Sequence, residues 1–333
     1  MKRKSKIRLH RIQTALVLLL ALFSMSSGGQ GKYCLVIHGG AGVMEREKMS
    51  PERQEQYLFH LDRALYTGDS VLRGGGTSTE AVVATIAYLE DCPLFNAGKG
   101  AVFSWEGRNE LDASIMEGAT LKAGAVAGVT TIRNPIRAAR AVMENSPHVL
   151  LTGKGAGEYA REQGLTLVKN RYFFTRERYD QLKTLKKNSR KREQADNHGT
   201  VGCVALDQYG NLCAGTSTGG MTGKRYGRIG DTPVIGAGNY ADNKTCAVSC
   251  TGHGEFFIRA GIARDVAARM EYGVVTLDQA AAGALAKLTA MGGTGGFIAL
   301  DAKGNITMPF NTSGMFRGYI KSNGKKETAI FKP

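Results

Sequence analysis

One ten-residue pattern occurs twice in this chain, as GCVALDQYGN at residues 202–211 and as GFIALDAKGN at 296–305. Each copy runs from small and apolar residues into an aspartate and a Gly-Asn pair, the pattern of a strand entering a hairpin turn. Two such hairpins need sheet partners and a cover for their apolar faces. The rest of the chain supplies both in blocks, with long helical patterns alternating with groups of short strands and no regular βαβ rhythm. The reading is an α+β fold of stacked, mainly antiparallel sheets flanked by helices, in preference to a doubly wound parallel sheet.

Residues 33–37 (YCLVI) read as a buried strand running into a glycine turn at 38–42 (HGGAG). Helical periodicity covers 51–72, and a capping box of Thr77 and Glu80 opens a second helix over 78–90. Strands are expected at 102–105, 110–116, 125–130 and 149–152, with helices from Pro135 to 144 and over 155–163. Further along, strands are expected at 200–206, 212–217, 233–236 and 246–250, then helices at 254–271 and 277–290 and a final pair of strands.

The N-terminus stands apart. Six Lys and Arg between residues 2 and 11 precede the apolar run 15–23 (ALVLLLALF) and the small-residue stretch 24–31 (SMSSGGQG). An apolar run too short to span a bilayer, in that order, is a secretory signal peptide. Residues 1–30 are therefore expected to be removed, leaving a periplasmic or secreted protein with no membrane contact. The net charge of +15 over 333 residues is unevenly placed, with six positive charges in this leader and ten Lys and Arg against Glu177 and Asp180 within 169–192. The remainder is close to neutral, which leaves no basic face for a nucleic-acid partner. Cys34, Cys92, Cys203, Cys213, Cys246 and Cys250 form no CxxC pair and no metal-ligand spacing, and several sit in apolar runs as buried thiols do.

The segment 170–198 (NRYFFTRERYDQLKTLKKNSRKREQADNH) is polar, glycine-free and basic, and it stops abruptly at Gly199-Thr200. It reads as a flexible tether over 170–199, above all in its second half, which has no apolar period. A threonine hydroxyl is a weak nucleophile and needs a base. If the peptide bond before Thr200 is cut, the new α-amine supplies that base on the same residue, with a reference pKa of about 8. Glycine before it, lacking Cβ, takes the strained geometry that such a cut requires. A Gly-Thr pair alone carries nothing, since Gly76-Thr77, Gly215-Thr216 and Gly293-Thr294 are others.

The surrounding motifs carry the weight. HGGAG at 38–42, LEDCPLFNAGKGAVF at 89–103, HGTVG at 198–202, TSTGGMTGK at 216–224, GRIGDTP at 227–233 and CTGHGE at 250–255 stand in this order. Together they closely resemble the plant-type L-asparaginase/isoaspartyl peptidase (β-aspartyl peptidase) family, relatives of glycosylasparaginase among the N-terminal-nucleophile hydrolases, over essentially the whole chain after the leader.

The resemblance implies a four-layer αββα sandwich that cuts itself between Gly199 and Thr200, giving an α chain of 31–199 and a β chain of 200–333, two of each per assembly. It implies that Thr200 is the nucleophile and that Thr218 supports it. Thr251 and Gly252 would form the oxyanion hole. Arg228 would hold the substrate α-carboxylate, and Asp231 its ammonium group with help from Gly252 and Gly254. Asn96 would belong to the site's surroundings, and Gly39 and Gly40 to the turn beside the nucleophile. The backbone carbonyls of Leu89, Glu90, Cys92, Phe95, Ala97 and Lys99 would hold a structural sodium ion, with no cofactor for catalysis. The substrates implied are L-asparagine and β-aspartyl dipeptides. Gly219-Gly220 after Thr218 fits that branch, whereas glycosylasparaginases, the alternative, tend to carry asparagine before the glycine. His38 and His253 are read as structural, and His198 as leaving with the tether. An exported binder using the basic segment is the rival from another class, and it would leave the chain uncut.

Overall fold

The computed structural model describes residues 32–188 and 199–332. The expected signal peptide, His198 and the second half of the tether lie outside the described residues.

Strand β1 (Cys34–Gly42) is followed by two helices, α1 (Pro51–Arg73) and α2 (Ser78–Asp91). Pro51 opens α1 in the first turn, where its missing N–H costs nothing, and Ser50 caps it by accepting from Arg53 N. The capping box of Thr77 and Glu80 forms as read from the sequence. Next come β2 (Leu111–Glu117), β3 (Ala123–Val129), α3 (Pro135–Asn145), β4 (Leu150–Thr152), α4 (Gly153–Glu162) and α5 (Arg176–Asn188). After residue 199 the order is β5 (Val201–Leu206), β6 (Leu212–Thr218), β7 (Asn239–Ala241), β8 (Cys246–Gly252), α6 (Gly254–Ala260), α7 (Ile262–Gly273) and α8 (Leu277–Ala290). The last strands are β9 (Gly295–Asp301), β10 (Ile306–Thr307), β11 (Gly314–Lys321) and β12 (Lys326–Phe331).

The strands form an eight-stranded sheet in the order β12-β11-β1-β5-β6-β2-β3-β4 and a four-stranded sheet in the order β10-β9-β8-β7. Among the paired strands of the described residues, only β3 and β4 run parallel. Side chains alternate across each strand, and the cores follow that alternation. Leu35 and Ile37 of β1 and Val201, Cys203 and Ala205 of β5 face the layer of α1 to α3. Cys34, Val36, Val204 and Leu206 face the other sheet, where Ile298 and Leu300 of β9 meet them. The opposite faces of β8 and β9, with Val248 and Phe297, pack on Phe257, Val266 and Leu288 of the last three helices. Three apolar layers thus separate four layers of secondary structure, the αββα sandwich. All six cysteines are buried and unpaired.

The sequence echo builds the same turn twice. Asp207 Oδ1 accepts from Tyr209 N and Asn211 N at 3.0 and 2.9 Å. Asp301 Oδ1 accepts from Lys303 N and Asn305 N, both at 2.9 Å.

Several sequence expectations need correction. Residues 38–42 are no turn but the end of β1, with a bulge between His38 and Gly40 opposite β11. Residues 102–105 join no ladder; the side chain of Asn109 takes the carbonyls of Ala101 and Val102. Residues 233–236 form successive turns closed by Val234 N on Asp231 O and Ala237 N on Val234 O, and Pro233 has no N–H to give a strand. The helix expected over 254–271 breaks at Gly261, whose φ of 60° ends α6. Within the expected tether, 170–188 is folded. Phe173 and Leu182 are buried, and the Tyr179 ring packs on Phe103 and Phe174 at 5.7 and 5.5 Å.

Candidate active site

The alternation that builds the inter-sheet core also gathers polar groups at one end of it. His38, Thr200, Thr216, Thr218, Ser249 and Thr251 share the faces of β1, β5, β6 and β8 that Val36, Val204, Ala214 and Ala247 cover further along. Thr200, immediately before β5, is 7% exposed. Its Oγ donates to Thr218 Oγ at 3.2 Å, and Thr218 Oγ donates to the carbonyl oxygen of Gly199 at 3.0 Å. Asn96 Nδ2 donates to that same oxygen at 2.8 Å, and also to Gly220 O at 2.8 Å. The amide of Asn96 is oriented by Val102 N, which donates to its Oδ1 at 2.9 Å. Two donors therefore converge on the carbonyl of the Gly199-Thr200 peptide, where negative charge would develop if that bond were attacked. Asn96, expected only in the surroundings, is one of them.

The carbonyl of Thr200 is held from the other side. His38 Nδ1 lies 2.8 Å from Thr200 O and Nε2 lies 3.0 Å from Ser249 Oγ. A carbonyl only accepts, so Nδ1 carries the proton and Nε2 is an acceptor; the single proton of Ser249 Oγ lies between Nε2 and Gly215 O, each 3.0 Å away. Burial pushes the pKa of His38 down to about 3, so the ring is neutral. Ser249 Oγ in turn lies 2.7 Å from Thr216 Oγ. A Cβ on Gly202 would stand 2.0 Å from Ser249 Oγ and 2.1 Å from His38 Nε2, which accounts for glycine there. One on Gly40, whose φ is 115°, would stand 2.9 Å from Gly199 Cα, while one on Gly39 would strike the Phe95 ring at 2.5 Å. Ser249 carried no sequence signal beyond strand alternation, and Thr216 only its place at the head of the 216–224 motif.

Thr251 is fully buried at the end of β8, and its Oγ accepts from Ala41 N at 3.2 Å, so its own proton is uncommitted. Gly252 follows at φ 153°, where a Cβ would stand 2.4 Å from Thr294 O.

Arg228, Asp231 and Gly254 come together. A Cβ on Gly254 would lie 2.8 Å from Asp231 Oδ1 and 3.0 Å from Arg228 Nη2. Asp231 Oδ2 is buried without a hydrogen-bond partner, and burial pushes its pKa up to about 7 against the pull of Arg228. Arg228 is already engaged: Nε and Nη2 donate to the two oxygens of Glu255 at 2.9 and 2.8 Å. This fork holds the Glu255 carboxyl down at about 2. Glu255 stands in the CTGHGE motif, but only the geometry gives it a part. Asp112 was also missed. It is fully buried, paired across the sheet with Thr218, and its pKa is raised by burial. His253 lies 3.3 Å from Glu255.

The loop 89–99 folds over its own carbonyls. A Cβ on Gly98 would stand 2.2 Å from Glu90 O, and one on Gly100 would stand 2.0 Å from Phe95 O. Leu89, Phe95 and Ala97 each accept one backbone N–H there, which leaves each carbonyl a second lone pair. Glu90 turns its carboxyl away to Ser217 Oγ and Ile136 N at 2.7 and 3.0 Å, and burial pushes its pKa up to about 8. Neutral oxygens of this kind fit a hard monovalent cation.

Comparison with known proteins agrees over nearly the whole chain. Residues 31–330 match the family described as Asparaginase. An isoaspartyl peptidase of Escherichia coli (strain K12) is 47% identical over 311 residues, covering 91% of this chain and 97% of its own length. An isoaspartyl peptidase/L-asparaginase of Xenopus laevis is 42% identical over 293 residues, with 88% and 93% covered. One of Rattus norvegicus is 40% identical over 299 residues, with 89% and 88% covered. The chain is a hydrolase of the asparaginase family, and it carries at Gly199-Thr200 a buried threonine whose preceding carbonyl is held by two donors.

Proposed function

We propose that this protein cuts itself before Thr200 and then hydrolyses the side-chain amide of L-asparagine and of β-aspartyl (isoaspartyl) dipeptides to release L-aspartate. The observation that carries the reading is the pair of donors on Gly199 O beside the Thr200 hydroxyl. In the first step Thr200 Oγ attacks the Gly199 carbonyl carbon. The charge that grows on Gly199 O strengthens its bonds from Asn96 and Thr218. As the C–N bond breaks, the hydroxyl proton passes to Thr200 N and the chain is joined through an ester. Water then cleaves the ester, leaving a carboxylate on Gly199 and a free amine and hydroxyl on Thr200.

The same hydroxyl now attacks the β-carbonyl of the substrate while the new amine takes its proton. Thr251 Oγ and Gly252 N stabilise the oxyanion. The N–H groups of Arg228 that Glu255 does not use hold the α-carboxylate, and Asp231 and the backbone around Gly254 hold the ammonium group. Departure of the amine with the proton leaves an acyl-enzyme, which water opens to aspartate.

Intact mass under denaturing conditions tests this directly. Wild type should give two fragments meeting at Gly199/Thr200, and Thr200→Ala one chain. An uncut, inactive wild type would overturn the reading. Glycosylated asparagine should be spared, in keeping with the similarity to isoaspartyl peptidases.

Three further parts belong to this proposal. Residues 1–30 direct export to the periplasm or outside, checked by N-terminal sequencing of the exported protein. The mature enzyme is a heterotetramer of two α and two β chains, checked by light scattering. A structural sodium ion sits on the carbonyls of Leu89, Glu90, Cys92, Phe95, Ala97 and Lys99.

A further inference from the structure

An anion that approaches Arg228 meets a cation whose charge is already answered. Glu255 takes Nε and Nη2 of the guanidinium and stays ionised, its carboxyl held down at about 2 by that fork. Asp231 stands beside the same Nη2, and Asp112 is buried across the sheet from Thr218. Acids outnumber this arginine, so a further carboxylate is attracted here only if another cation lies close by.

The free nitrogen of Arg228 is Nη1, which donates to no group among the described residues. It lies between two glycines, since a Cβ on Gly230 would stand 2.8 Å from it and one on Gly220 3.6 Å. That same point above Gly220 is 3.2 Å from Lys224 Nζ. Gly220, at φ 76°, keeps the patch between the two cations bare.

Lys224 is not answered in the same way. Its side chain is 1% exposed, and Nζ donates to a neutral acceptor, Glu110 O, at 2.9 Å. The one ion pair it makes among the described residues, to Glu110 Oε2, is 3.9 Å long and beyond hydrogen-bond reach. An ammonium carries three N–H groups, so two are uncommitted. Burial raises the pKa of Asp112 while Lys224 and Arg228 pull it down, so that acid shares the field of both cations.

We propose that Lys224 is a positioning residue of the substrate clamp. From the far side of Gly220 its charge offsets Glu255 and draws the α-carboxylate of the substrate onto Nη1 of Arg228. The inference rests on the function proposed above. A unit charge about 6 Å away, at an effective dielectric constant of about 20–40, changes binding by about tenfold to a hundredfold. Because Lys224 is buried, salt screens it little.

The test uses two competitive inhibitors of asparagine hydrolysis by the mature enzyme, L-aspartate and L-aspartic acid α-amide, which differ only in the α-carboxylate. Wild type should bind the acid at least about tenfold more tightly. In Lys224→Gln, whose amide can still donate to Glu110 O, that ratio should fall by about tenfold to a hundredfold. The Ki of the amide should stay within about threefold of wild type, KM for asparagine should rise with the Ki of aspartate, and kcat should hold. Lys224→Arg, which keeps the charge, should keep most of the ratio. A loss shared equally by acid and amide would mean that Lys224 only props its turn, and it overturns the proposal, as does an unchanged ratio. A wild-type ratio below about tenfold also overturns it, and that comparison needs no variant to fold. If Lys224→Gln stays uncut, Lys224 serves the fold or self-cleavage and the proposal falls, while asparagine hydrolysis by the wild type keeps the function standing. A wild type that hydrolyses no asparagine removes both.

Discussion

The carboxyl group of Asp231 has one buried oxygen without a hydrogen-bond partner, and burial pushes its pKa up to about 7. An unfolded aspartate titrates near about 3.9, so over the interval between these values the folded protein holds a proton that the unfolded chain has lost. Stability from this group is present at low pH and lost as pH rises through that interval. Asp231→Asn should therefore raise the melting temperature more at about pH 8 than at about pH 5, while aspartate binding is lost; equal shifts at both would contradict the assignment. For the wild type, KM should climb as pH falls below about 7, because a protonated Asp231 cannot pair with the substrate ammonium. Asn96 gives the companion prediction for maturation. Removing an oxyanion donor costs about 10²–10³ in rate, so Asn96→Ala should slow self-cleavage by that order, read from precursor decay on a denaturing gel. These residues were legible to different depths. Thr200, Thr218, Arg228 and Asp231 stand inside motifs that resemble those of the asparaginase family, and it is that resemblance that names them. Glu255 of α6, Asp112 of β2 and Ser249 of β8 acquire their partners only when helix and sheets pack, so the local pattern around each gave it no role.

Strand alternation is the element-scale device that makes both the core and the site, and β5 shows how little room it leaves. Gly202 faces the inter-sheet layer beside His38 and Ser249, where a methyl group would approach both to about 2 Å. Gly202→Ala should slow maturation and destabilise the fold by about 1–3 kcal/mol, the usual cost of forcing atoms into a packed site, as read from urea midpoints. Unchanged cleavage and stability would show that the His38–Ser249 contact is dispensable. Helix α2 was readable from its Thr77 capping box, whereas the caps that Ser50 and Thr276 give α1 and α8 emerge only in the structure. The strands expected at 102–105 and 233–236 failed for a reason that composition hides, since Asn109 and Pro233 decide where their hydrogen bonds go. Helix α5 was hidden in another way. Its charges outnumber the apolar pair Tyr179 and Leu182, yet that i, i+3 pair is what docks it. The loop 89–99 has no periodicity at all, and its carbonyl-lined shape rests on Gly98 and Gly100. Exchange of sodium for choline should lower the melting temperature if a cation sits there, and an identical melting curve would argue against one.

At the level of the whole molecule, the sandwich expected from paired hairpins and helical blocks is the one observed, with the two echoed hairpins assigned to different sheets. The strand order bears on the self-cleavage proposed above. Strand β1, from before residue 199, runs between β11 and β5, both from after it, and β2 pairs with β6 in the same crossed fashion. The two pieces are woven like the fingers of clasped hands, so severing the backbone frees neither. Unfolding is another matter. An uncut chain would need only itself to refold, whereas two chains cut as proposed would have to find each other, and their recovery would depend on concentration. The proposed maturation would thus turn a molecule able to reform alone into one that is assembled once.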